Sequence, residues 1–127
     1  MIRPVSIASA LLLIASSSVA VAEAAPKQNF SAQQLQQMCS ATGDSDQAVA
    51  FNLICMGYIG GVMDMLTTTS ALAQTKPLFC VPEGADRGQA TAVFVAHMAA
   101  HPEKQIAVAA SVIRTALIET WPCATTR

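Results

Sequence analysis

Charge is what this chain has least of. Only 12% of its 127 residues are Asp, Glu, Lys or Arg, about half the usual globular share. No run of five basic residues occurs and the formal net charge is −1, which excludes the electrostatic footprint of a nucleic-acid binder. Aromatic residues make up 5%, with a single Trp and a single Tyr. The chain has no C-x-x-C pair, so a zinc ribbon or a thioredoxin-type redox site is disfavoured. It has no G-x-x-x-x-G-K-[ST] loop, no H-E-x-x-H helix and no nucleophile-elbow pattern. No segment alternates apolar and polar residues as a half-buried strand does. What is abundant is apolar: 53% of the residues are hydrophobic. That excludes a disordered chain, and the length fits one domain.

The first 22 residues read as a secretory signal peptide rather than as part of the fold. Arg3 supplies a positive start and Ile7 to Val21 an apolar run. Ala20-Val21-Ala22 offers a cleavage site and Ala22-Glu23-Ala24 a second one. The run is shorter than the ~20 apolar residues of a membrane span, and Ser16 to Ser18 interrupt it. Cleavage after Ala22 or Ala24 is therefore expected, followed by one helical domain over residues 30–125. No membrane partner is expected after cleavage, and the signal suits bacterial export.

The expected fold is all-α, a small bundle of four to five helices stapled by two disulfides. Ser31 with Gln34 forms a capping box for a first helix ending near Ser40, with Phe30 and Leu35 as its hydrophobic staple. Asp44 with Gln47 offers a second capping box for a long helix over about 45–73. There Phe51, Cys55, Tyr58, Val62, Leu66 and Thr69 share one face. Gly57 and Gly61, one turn apart, read as a shallow groove where another helix crosses closely. Pro77 and Pro82 bracket a loop that holds Cys80. Asp86 with Gln89 opens a third helix that runs to about Ala100. His101-Pro102 breaks it, and Pro102 suits the first position of a fourth helix of about 20 residues. That helix carries Ile106, Ala110, Ile113, Leu117 and Trp121 on one face and ends at Pro122.

All four cysteines, Cys39, Cys55, Cys80 and Cys123, lie beyond the signal peptide. An even count in a small exported domain implies two disulfides, and three pairings are possible. A hairpin of the third and fourth helices leaves an overhang of roughly 9 Å at 1.5 Å per residue. The loop after Cys80 can span it, which favours Cys80–Cys123 and hence Cys39–Cys55. The weak point is Cys55, a turn or two beyond the nearest point of a simple hairpin.

No catalytic residue is assigned. Asp64 could be a solvated residue, a buried acceptor or a catalytic acid, and without a partner the structural role is preferred. His97 and His101 have the i, i+4 spacing of helical metal ligands, but the nearest third ligand, Glu103, lies beyond the helix break. No metal and no cofactor are therefore expected. Tyr58 and Trp121 read as core. Leu78 and Phe79 either tuck under the loop or present an apolar anchor to a partner.

Four signatures in order carry a resemblance. Cys55 to Asp64 looks like C-x-G-Y-x-x-G-x-x-D, with Gly57, Tyr58, Gly61 and Asp64 in place. Cys80-Val81-Pro82 follows as C-x-P, then His101-Pro102-Glu103 as H-P-E, then Ala116-Leu117 through Trp121-Pro122-Cys123. This order resembles the Rap/Tai family of type VI secretion immunity proteins over about Leu35 to Cys123. The resemblance implies a small helical periplasmic protein, non-enzymatic and often a homodimer, that binds and blocks a secreted peptidoglycan amidase. It implies a scaffold role for the matched residues and leaves the toxin contacts unassigned. Gly84 to Gly88 depart from the family's more apolar opening of the third helix.

The expected function is thus a periplasmic immunity protein that sterically blocks an amidase toxin. The alternatives are a periplasmic acid-stress chaperone or another non-enzymatic periplasmic binding protein. Eight acidic residues with no cluster make a weak acid trigger for a chaperone.

Overall fold

A computed structural model describes residues 29–124. The signal peptide read at residues 1–22 lies outside the described residues. Four α-helices follow in order: α1 Ala32–Cys39, α2 Asp46–Leu72, α3 Arg87–Ala100 and α4 Ala109–Thr120, with a 3-10 turn at Pro102–Lys104 before α4. Among the described residues the only β pairing is an isolated bridge between Ser31 and Val108.

Local sequence explains where three of the helices begin. The Ser31 side chain accepts from the Gln34 amide while the Gln34 side chain accepts from Ser31 N–H, a closed capping box. Asp86 and Gln89 do the same for α3. At α2 the cap is Ser45, which accepts from the Ala48 amide, not the Asp44–Gln47 box expected. The α1–α2 turn passes Gly43 at φ 97°, and the Asn52 side chain locks it by donating to the Ala41 carbonyl at 3.1 Å.

The fourth helix departs from expectation. It begins at Ala109 and has 12 residues, so the roughly 20-residue helix from Pro102 does not form. Pro102 opens a single 3-10 turn instead, and Ile106 is 92% exposed rather than on a core stripe. The cause is tertiary. Residues 105–109 run beside the start of α1: Ala32 N–H donates to the Ala107 carbonyl at 2.8 Å and Gln33 N–H to Gln105 at 3.0 Å. In return Ala109 N–H donates to the Phe30 carbonyl at 2.9 Å. Two helix N-termini satisfy each other's unpaired first-turn amides, a service that a helix through 105–108 would forbid.

Every helix contributes to one core. Leu35, Cys55, Ile59, Phe94, Ile113 and Leu117 are its largest fully buried side chains. Phe30 stacks edge-on against Tyr58 at 5.4 Å. On the expected stripe of α2, Cys55 and Val62 are buried, Phe51, Tyr58 and Leu66 half-buried, and Thr69 exposed.

Both favoured disulfides are formed, Cys39–Cys55 and Cys80–Cys123. The overhang that argued for the second one is absent, since α3 has 14 residues and α4 has 12. Cys80 is held to the end of α4 by its own amide, which donates to the Trp121 carbonyl at 2.9 Å.

Candidate functional site

Helix α2 is long and apolar enough to cross a membrane by length and composition, with mean hydropathy 1.6 over an 18-residue window. Its buried side carries Cys55, Ile59 and Val62 into the core and the disulfide to α1. Only 28% of that window is buried, however. Much of the rest faces outward: Leu53, Ile54, Gly57, Gly61, Met65 and Leu72 recur at helical spacing and all are exposed, with Asp64 and Thr68 set among them. Scattered exposed apolar residues are ordinary; several on one face of one helix mark a candidate contact surface.

The two glycines of that face correct the expected crossing point. Among the described residues, a Cβ built at Gly57 or Gly61 meets nothing within 4 Å. The close approach is at Gly60 instead, where a Cβ would stand 2.7 Å from the Arg87 Nε. The Arg87 side chain passes over Gly60 and pairs with Asp64 at 3.7 Å. Asp64 is therefore an exposed ion-pair partner, and among the described residues Arg87 is the one charged group paired with it.

The Pro77–Pro82 loop divides its two apolar residues. Phe79 is buried in the core and Leu78 is exposed. Phe79 takes the tucked position, and only Leu78 remains an available anchor. Trp121 is half-buried against the core as the C-cap of α4, and Pro122 follows it in the exposed stretch leading to Cys123.

A second cluster lies where the end of α3 meets α4. His97 Nδ1 is 3.4 Å from Glu119 Oε2. His101, the C-cap of α3, has its Nδ1 3.2 Å from Glu103 Oε1. The two rings face each other with centroids 4.3 Å apart. Burial, and then the neighbouring His101, push the His97 pKa below its usual value; Lys104 adds to this, while Glu119 and Glu103 oppose it. A hydrogen bond from its own backbone amide, with help from His101, holds the Glu103 carboxyl below the usual carboxylate range. A cleft of about 140 Å³ opens beside His97, between Lys104, Ser111 and Thr115.

Two residues that matter here were not singled out from sequence. Arg87 was hidden because its partner Gly60 carries no pattern of its own. Glu119 was hidden because its partner His97 lies 22 positions away on another helix, beyond any local pattern. With α4 beginning at Ala109, Ser111, Thr115 and Glu119 come beside that ring.

Among the described residues, the scaffold and surface define a class: a small all-α protein, closed by two disulfides, with a largely apolar exposed helix face suited to contact with another protein. Residues 31–123 match the model of the Rap1a immunity proteins, and the chain belongs to that family. No curated protein and no solved structure matches it. Membership makes a toxin the expected class of partner, and the family is generally non-enzymatic.

Proposed function

We propose that the protein is a periplasmic immunity protein that binds and sterically blocks a peptidoglycan amidase toxin delivered by a type VI secretion system. The family match over residues 31–123 carries this reading. Two disulfides suit an oxidising compartment, and residues 1–22 read as an export signal. The order of the C-x-G-Y, C-x-P, H-P-E and W-P-C motifs resembles the Rap/Tai family, which implies a peptidoglycan amidase as the target.

The exposed face of α2 supplies the contact. Its apolar side chains stand on a rigid helix anchored by Cys39–Cys55, so little ordering entropy opposes binding. Gly57 and Gly61 leave the helix backbone approachable at the centre of that face. Inhibition then needs no chemistry from this chain: the bound helix covers the toxin's substrate cleft.

The test is inhibition of purified peptidoglycan amidases, read as muropeptide release while the oxidised protein is titrated in. Stoichiometric inhibition of one amidase is expected. Leu53→Glu with Met65→Lys should abolish it while the circular dichroism spectrum stays unchanged. Full inhibition by that variant would move the contact away from α2. Binding to a toxin of another enzymatic class would replace the amidase assignment. For location, a chain lacking residues 2–22 should fail to protect cells.

A further inference from the structure

The cluster at the end of α3 has the composition and shape of a transition-metal site. His97 and His101 are one helical turn apart, and Glu119 reaches them from α4. One donor atom from each of the three lies within 4.8 Å of the other two. We propose that His97, His101 and Glu119 bind one divalent transition-metal ion of the zinc class, tying the C-terminal end of α3 to α4.

Metal–donor bonds of about 2.0–2.1 Å in a tetrahedral site put neighbouring donors roughly 3.3 Å apart. The His97–Glu119 pair already stands at 3.4 Å. His101 has to swing in together with its Glu103 contact, and the two side chains, 42% and 60% exposed, have room to do so. Glu119 is likewise exposed, whereas His97 is held by its surroundings with 8% of its side chain accessible. One fixed donor with two adjustable ones can close on an ion without disturbing the core.

Glu103 adds the support such sites use. Its carboxylate lies 3.2 Å from His101 Nδ1, which orients the ring and leaves the other nitrogen for the metal. Carboxylates that orient ligating histidines in this way are a regular outer-shell feature of metal sites. Imidazole donors favour zinc, copper and nickel over magnesium or calcium. Three protein donors leave a fourth position, for water, beside the cleft lined by Ser111 and Thr115. Lys104 lines the same cleft, and its positive charge opposes an incoming cation. Removing that charge should tighten binding.

The experiment is isothermal titration of Zn²⁺ into the oxidised, tag-free protein after treatment with chelator. One ion per chain is expected, with thermal melting shifted upward by the metal. Glu119→Gln and His101→Ala should each weaken binding at least tenfold. Lys104→Met should strengthen it severalfold. Both weakening substitutions fall on partly exposed side chains, so the metal-free melting temperature shows whether each variant is folded. Absence of binding at millimolar Zn²⁺ overturns the proposal. So does binding that Glu119→Gln and His101→Ala leave unchanged, because the ion would then sit elsewhere. Amidase inhibition is a separate readout, so failure of one leaves the other standing.

Discussion

Arg87 lies across Gly60: its Nε stands 2.7 Å from the point a Cβ would occupy there, and its guanidinium continues to Asp64 at 3.7 Å. One residue further along, Gly61 meets none of the described residues within 4 Å. Neighbouring glycines in one helix thus have different reasons to lack a side chain.

Gly61→Ala should stabilise the protein by about 1 kcal/mol, the ordinary helix-interior gain over glycine. Gly60→Ala should return less, because Arg87 must move aside. In an Arg87→Ala background the two substitutions should become equal. Urea midpoints of the double-mutant cycle measure this. A gap between the two sites that survives without Arg87 would remove Arg87 as its cause.

Gly61→Leu should also raise the urea midpoint, since its side chain enters solvent rather than a helix crossing. The same change fills the centre of the proposed toxin-binding face. Weaker toxin binding from a more stable protein is the expected combination. Unchanged binding would place the contact elsewhere.

Phe79→Ala should cost about 3–5 kcal/mol, as truncation of a buried Phe does. Leu78→Ala, one position earlier but exposed, should cost less than about 1 kcal/mol. Similar losses at both positions would contradict the division of the loop into an inward and an outward side chain.

Loss of Cys80–Cys123 should hurt more than loss of Cys39–Cys55. The two bridges join residues separated by 43 and 16 positions. Loop entropy assigns them about 4 and 3 kcal/mol. Thermal melts of the paired Cys→Ser variants test the order. A lower melting temperature for the Cys39/Cys55 variant would reverse it.

Denatured, non-reduced protein should gain no mass from a thiol alkylator, because all four cysteines are bridged. Two labels per chain would mean that one bridge is missing in solution.

Interactions within one helical turn are legible in this chain from its letters. The Ser31–Gln34 and Asp86–Gln89 boxes need only residues three apart, so α1 and α3 begin where local rules place them. The all-helical class follows from spacing in the same way, and so does part of the buried face of α2: Cys55 and Val62 are buried, whereas Ile59 is buried off the expected stripe and Thr69 on it is exposed. The sequence order of four motifs pointed to the family. Contacts between distant segments are what only the tertiary structure decided. Proline at 102 is locally a good helix start, yet the amides of Ala32 and Gln33 need carbonyl partners, and residues 105 and 107 supply them. That exchange moves the start of α4 to Ala109 and sets which residues stand beside His97. The same applies to glycine. No local rule distinguishes Gly60 from Gly61, because the distinguishing object is a side chain 27 positions along the chain. A helix face is a property of spacing, whereas what covers it depends on packing that the letters of one helix do not contain.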